Sequence, residues 1–283
     1  MTWLILVLIS TVTFSIAGIL QKILLREEQS DPIAYGFFFQ MLTALIIFIY
    51  SLFVGFSIPN LIPLIPNLIL MTVFYALFNF CLFRAYQTAE ASEVSVLFAS
   101  RTLWSVVAAA IFLQEALNFQ KIVGIIFIVL GVIIVSWRSK SWKLSKGHLF
   151  AILASFFFGT AFTNDAFLIN HFANVPSYLA ISFALPSVFL LLLQPKAFKN
   201  LSLFLDKKRF IKMFVTSLFW AIAALTVFWA YQSGGTVIQI SPISQLSIIL
   251  TVILGYIFLK EKDYLWQKGL GAVVVIIGAI LLI

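Results

Sequence analysis

The chain has 283 residues, 63% hydrophobic and only 10% charged, with a mean hydropathy of +1.11. These values exclude a soluble globular domain and place the chain in a bilayer. Its formal net charge of +8 is a signal of membrane topology and of contact with anionic lipid headgroups, not of nucleic-acid binding.

Crossing the hydrocarbon takes about 20 apolar residues per helix. Apolar runs of that length predict ten helices, at about 2–25, 33–55, 67–87, 93–113, 121–137, 148–170, 177–194, 212–232, 237–259 and 267–283. The first run, TWLILVLISTVTFSIAGILQKILL, has no basic stretch before it and no small-residue cleavage site after it, so it is expected to remain as a mature span. The breaks carry helix-stopping residues: Asp31-Pro32, then Pro59, Pro63 and Pro66, then Asn174-Val175-Pro176, Pro195, and Ser233-Gly234-Gly235. The alternation of a barrel strand is absent and an open sheet edge is not viable in lipid, so the expected fold class is an all-α integral membrane protein. The single cysteine, Cys81, lies inside an apolar run and reads as a core thiol, with no disulfide or zinc pattern.

The two halves repeat. FRAYQTAEASEVSVLFASRTLWSVVAAAIFLQEALNFQKIVG at 83–124 recurs, with small gaps, as FWAYQSGGTVIQISPISQLSIILTVILGYIFLKEKDYLWQKGLG at 228–271. Ala85-Tyr86-Gln87 matches Ala230-Tyr231-Gln232, Glu115 matches Glu261, and IVLGVIIV at 128–135 matches VIIGAILL at 275–282. Such length reports a duplicated unit. Two units are expected, 1–140 and 148–283. Each holds five predicted helices, an odd number, so the second copy enters the membrane from the opposite face. The expectation is therefore ten transmembrane helices as two inverted five-helix repeats, with a substrate path between them near the midplane.

The A-Y-Q-x3-A-S-E-V-S stretch leading into the fourth predicted helix, the Leu113-Gln114-Glu115 and Leu259-Lys260-Glu261 ends of helices four and nine, and the glycine-rich helices that follow them resemble the drug/metabolite transporter superfamily, and within it the ten-helix EamA-like branch. The likeness covers nearly the whole chain, and its motifs mark a fold more than a substrate. It implies a carrier of small metabolites, commonly an exporter of amino acids or related compounds, with a central cavity lined mainly by helices 1, 3, 4, 6, 8 and 9. No cofactor or metal is expected, and the chain is expected to be a monomer or homodimer with a small-molecule substrate as its partner besides the bilayer.

Of the 18 lysines and arginines, Arg101 lies inside helix four and Lys121 on the face of the N-terminus, and the other 16 lie on or near the opposite face. Short basic loops stay cytoplasmic, so both termini are expected outside a cell membrane. Members of the family more often keep their termini inside, with a basic loop between helices two and three. Here that loop is FSIPNLIPLIPN, without a charge. Exchanging which half takes which orientation preserves an inverted-repeat architecture. PKAFKNLSLFLDKKRFIK at 195–212 reads either as a short helix lying at the basic interface or as a solvated loop.

Arg101 lies roughly 12 Å into its helix from the basic face. Lys22 and Arg84 sit near helix ends, where long stems reach water. A charge near the bilayer centre costs at least about 2.5–3.5 kcal/mol, so Arg101 must face a wet cavity or a partner rather than lipid. One reading fastens helix four to its neighbours through carbonyls and hydroxyls such as those of Ser100, Thr102 or Ser105. The functional reading is an anion hook, for which the rigid guanidinium fork suits carboxylate or phosphate.

Asp165 is the deep anion, roughly 13 Å from Arg101 along the normal. It is read either as a residue bonded to helix-end groups or as the far end of a substrate site, and as the natural proton carrier if transport is proton-coupled. Its repeat equivalent is Gln21, so Gln21-Lys22 and Asn164-Asp165 are polar pairs at corresponding places. On helix nine Gln245 lies deepest among Gln239, Ser241 and Gln245 and near the equivalent of Arg101, although glutamines also join helices. Trp104, three residues from Arg101, either floors the cavity or packs. Glu90 and Glu93 open a helix, Glu115 and Glu261 end one, and His148 and His171 lack metal-ligand spacing.

The expected function is a secondary transporter, by alternating access, of small polar metabolites such as amino acids. A sugar-phosphate or nucleotide-sugar exchanger would call for more than one deep cation. A membrane-embedded lipid-modifying enzyme would need a triad, metal cluster or phosphate loop, none of which is recognisable in the sequence.

Overall fold

The computed structural model describes residues 2–26, 31–112, 118–138, 141–142, 145–234, 240 and 243–281. Among these residues eleven α-helices follow one another: α1 (Thr2–Arg26), α2 (Pro32–Val54), α3 (Ile65–Thr88), α4 (Ala91–Phe98), α5 (Arg101–Phe112), α6 (Phe119–Ser136), α7 (Lys146–Ile169), α8 (Val175–Leu193), α9 (Lys207–Gln232), α10 (Leu246–Leu259) and α11 (Leu265–Leu281). A 3-10 turn, Ile62–Leu64, precedes α3, and Pro195–Leu205 forms a longer 3-10 segment before α9. Trp137–Arg138 and Ser141–Trp142 make a two-residue antiparallel ladder.

Polar caps set the helix starts. Asp31 accepts from Ile33 N at 2.9 Å with Pro32 in the first turn, and Asn174 accepts from Ser177 N at 2.9 Å, satisfying amides that have no partner inside the helix. Gly55, at φ 93°, closes α2 in the left-handed conformation. Asp206 accepts from Lys208 N and Arg209 N at 3.1 and 3.3 Å. This cap starts α9 at Lys207, five residues earlier than its hydropathy alone suggests, and the basic stretch 195–212 divides between the 3-10 segment and the first turns of α9.

The fourth predicted span is not one helix. A turn at Ala99–Ser100 separates α4 from α5. Ser100 Oγ donates to Leu97 O at 2.7 Å and meets Ser155 Oγ of α7 at 2.7 Å. A buried serine joined to another helix thus sits where a run that carries neither glycine nor proline is interrupted. In the ninth predicted span, Gln245 occupies a turn just before α10, while Gln239 and Ser241 lie outside the described residues, as does Glu115.

α3 packs on α7, α1 on α9, α2 on α8, and α6 on α11, with further contacts of α5 on α7 and α1 on α10. Exchanging the halves turns the pair α3 and α7 into α9 and α1, and the pair α5 and α7 into α10 and α1. α6 and α11 touch through backbone. A methyl added at Gly131 would lie 2.4 Å from Val275 Cγ2 and 2.9 Å from Gly271 O, and one at Gly278 would lie 2.7 Å from Gly124 O. Small residues allow such approach in lipid, where packing, not exclusion of water, holds helices together.

Among the described residues, six helices are long and apolar enough to cross a membrane. Large apolar side chains such as Phe53, Phe119 and Trp266 point outward at 82–84% exposure, which water would penalise and lipid tails do not. The protein is a multi-pass membrane protein.

Candidate functional site

The break between α4 and α5 places Arg101 at the first position of a helix, between elements of both halves. Its guanidinium carbon lies 4.6 Å from the ring centre of Phe98 on α4, 5.5 Å from Phe14 on α1 and 5.6 Å from Phe158 on α7. The aromatic faces attract the cation. The residue is half-buried, and among the described residues its guanidinium makes neither ion pair nor hydrogen bond. Tyr86 and Tyr231 lie within electrostatic reach of its charge.

α7 comes close enough to carry this arrangement because Gly159 has no side chain. A methyl there would stand 2.4 Å from Arg101 O and 2.8 Å from Trp104 Cβ. Ser105 Oγ donates to Gly159 O at 3.0 Å and Thr163 Oγ1 to Ser105 O at 3.3 Å. Trp104 packs edge-on against Phe156 at 5.0 Å, and its indole N–H is buried without an acceptor among the described residues. Gln245 donates through Nε2 to Thr102 Oγ1 at 2.6 Å. Arg101, Trp104 and Gln245 therefore gather around the α4–α5 break.

Asn164 and Asp165 belong to a second group. Asp165, 3% exposed, accepts from the Tyr75 hydroxyl and from the Tyr178 hydroxyl, each at 2.5 Å. Two donors on two oxygens satisfy a buried carboxylate and tie α3, α7 and α8 together. Asn164 and Asn67 close a reciprocal pair, Nδ2 of Asn67 donating to Oδ1 of Asn164 at 2.6 Å and Nδ2 of Asn164 to Asn67 O at 2.9 Å. Phe158, at the level of Arg101, precedes Asp165 by seven residues on α7, about 10 Å of helix. No hydrogen bond or ion pair joins Arg101 to Asp165 among the described residues.

Gln21 is fully buried on α1, and neither amide atom has a hydrogen-bond partner among the described residues. Lys22 is equally buried and donates to the carbonyls of Tyr86, at 2.8 Å, and Ala89, satisfying carbonyls that the end of α3 leaves free.

At the basic face the second half grips the start of α4. Glu261 accepts from Ala91 N at 2.8 Å, Ser92 N at 3.1 Å and Ser92 Oγ at 2.6 Å. A carboxylate from the end of α10 thereby caps a helix 170 residues away in sequence. Lys268 pairs with Glu90, and His148 Nε2 lies 3.3 Å from Glu93 Oε2. His171 Nδ1 meets Phe167 O at 3.0 Å. Among the described residues no group of three or more His, Cys, Asp or Glu stands ready for a metal.

Sequence reasoning missed the aromatic cage of Arg101 and the two phenols of Asp165. The signal for Tyr86 and Tyr231 was present, since they are matched residues of the repeat. For Tyr75 and Tyr178 the only cue was a phenol inside an apolar run, whose hydroxyl must find a partner when buried.

In comparisons with known proteins, no curated protein matches by sequence. Among solved structures, 24 chains are similar. One, described only as the crystal structure of a protein, superimposes with a TM-score of 0.57 at 13% identity over 96% of this chain and 95% of its own, a likeness of fold alone. The profile of the EamA-like transporter family matches residues 1–137 and again residues 145–283. With a repeated unit, apolar helices throughout and a profile that covers both halves, the chain belongs to the EamA-like transporter family, a group of membrane transporters within the drug/metabolite transporter superfamily.

Proposed function

We propose that the protein is a secondary transporter, working as an exporter of small polar metabolites such as amino acids by alternating access between its two halves. The observation that carries this reading is Arg101: a half-buried cation, without ion pair or hydrogen bond among the described residues, at a helix break where α1, α4 and α7 meet. A cation so deep in an apolar chain needs an anionic partner or water to offset its desolvation.

The architecture proposed with it is ten spans in two inverted five-helix repeats, α4 and α5 together making one discontinuous span and α10 the inner part of its counterpart. The exchange-symmetric pairing of the helices and the sequence repeat support it. Irregular backbone at membrane depth is tolerated where it is buried in protein or lines a polar path. Arg101 and Trp104, with Gln245 behind them through Thr102, form the recognising end of the site. Asp165 and Asn164 lie two turns along α7, where Asp165 reaches a substrate by exchanging one of its phenols, and Gln21 and Lys22 form the corresponding polar stretch of α1. The 16 basic residues near one face set that face inside, with both termini outside.

Counterflow of radiolabelled amino acids in proteoliposomes tests the reading, with Arg101→Ala as the matched control. Wild-type counterflow that the variant loses supports it. Absence of counterflow for amino acids and related small zwitterions refutes it.

A further inference from the structure

Anion capture by Arg101 is part of the function proposed above, on which this inference rests. Two tyrosines narrow the class of anion. Tyr86 near the end of α3 and Tyr231 near the end of α9 are the matched tyrosines of the repeated Ala-Tyr-Gln, so each half contributes one. The Tyr86 hydroxyl rests on Gly18, 3.1 Å from where a methyl would stand. Gly18 is one helical turn from Phe14, whose ring lies 5.5 Å from the guanidinium, so Tyr86 and Arg101 approach the same stretch of α1. Tyr231 belongs to the apolar cluster built on Val7 of α1 and Ala230, and its ring lies 6.2 Å from that of Phe228. Both phenols lie within electrostatic reach of the guanidinium.

The charge count then decides between anions. Phe14, Phe98 and Phe158 surround the cation with apolar faces, and they leave its N–H edges for a ligand. The buried ammonium of Lys22 is turned to the carbonyls of Tyr86 and Ala89. Arg84 lies over Phe80, and being two residues from Tyr86 it projects from a different side of α3. One positive charge therefore faces the ligand. A phosphate monoester, carrying about 1.5–2 negative charges, would keep an uncompensated charge in apolar surroundings, whereas a carboxylate is neutralised by the single guanidinium and matches its fork.

We propose that Arg101, Tyr86 and Tyr231 together bind one carboxylate group of the substrate, Arg101 supplying the charge and the two tyrosines, one from each half, supplying O–H donors. Joining donors from both halves on one ligand group also gives that group a different grip when the halves rearrange, which is what a transported substrate must provide.

The test uses three probes that share one ring: benzoate, phenyl phosphate and neutral benzamide, each titrated against the purified full-length protein with the thermal midpoint as readout. Benzoate is expected to raise the midpoint in a saturable way, with phenyl phosphate binding at least about 10-fold more weakly and benzamide without effect. Tyr86→Phe and Tyr231→Phe each remove one donor and should weaken benzoate about 3- to 10-fold, while Arg101→Gln abolishes the shift. The midpoints of the unliganded variants check that they fold. Phenyl phosphate binding as tightly as benzoate, or no shift with benzoate at all, overturns the carboxylate assignment. Wild-type benzoate affinity in both tyrosine variants overturns their role. Because the readout is binding, benzoate binding without any counterflow would sink the transporter reading alone, whereas amino-acid counterflow with no midpoint shift from benzoate would sink this inference alone.

Discussion

Replacing Gly159 with alanine drives a methyl carbon into the backbone of α5, to 2.4 Å from Arg101 O and 3.0 Å from Ser105 N. Neither atom is the end of a flexible side chain, so two helices must part. Restoring the 3.4 Å at which ordinary contact begins requires about 1 Å of separation, in an interior packed too densely to absorb it. Overpacking of this kind costs about 1–3 kcal/mol. The hydrogen bonds across the same crossing, Ser105 Oγ to Gly159 O and Thr163 Oγ1 to Ser105 O, lengthen with it, at about 1 kcal/mol each. Against these stands the better helix propensity of alanine, about 1 kcal/mol. The net expectation is a loss of about 2–4 kcal/mol, together with impaired transport, because the carbonyl that is struck belongs to Arg101. Equilibrium unfolding in mixed micelles measures the first and proteoliposome counterflow the second. Gly269→Ala, where a methyl meets nothing within 4 Å, serves as the control and should be neutral or slightly stabilising. A Gly159→Ala protein as stable and as active as that control would refute the reasoning.

Arg101→Ala should abolish transport while leaving the protein inserted in the membrane, and Arg101→Lys should recover only part of it, since an ammonium keeps the charge without the fork; full activity of the alanine variant in counterflow would return Arg101 to a packing role. Asp165→Asn leaves one carbonyl acceptor for two buried phenols and should cost about 2 kcal/mol in micellar unfolding, an effect absent if the Tyr75 and Tyr178 bonds carry no stability. Glu261→Gln replaces the charged cap of α4 and should lower stability by about 1–3 kcal/mol, with faster amide exchange at Ala91 and Ser92; unchanged exchange there would mean that the cap is dispensable. A reporter fused after Ile283 should report an extracytoplasmic C-terminus, and activity of a cytoplasm-only reporter there would reverse the orientation.

Long apolar runs, the breaks at Asp31-Pro32 and Asn174-Val175-Pro176, and the matched Ala-Tyr-Gln motifs were legible in the sequence, because spanning lipid, stopping a helix and repeating a unit are constraints written in adjacent residues. Arg101 was legible for the same reason: a cation within an apolar run is costly wherever the helix lies. The rest was decided by approach in space. Nothing in Phe98-Ala99-Ser100-Arg101 announces a break, or that Ser100 at the break meets Ser155, 55 residues away. Asp165 stood out as a deep carboxylate, but that its oxygens accept from Tyr75, 90 residues distant, and from Tyr178 could not be read from adjacent residues. The turn of the Lys22 ammonium to carbonyls at the end of α3 was likewise not legible, nor was the reach of Glu261, read as an ordinary helix-end residue, to the start of α4 in the other half. A bilayer constrains each helix along its own length, so that part of the fold is local. Which buried donor meets which acceptor depends on helices packing side by side, and only the tertiary structure decides that.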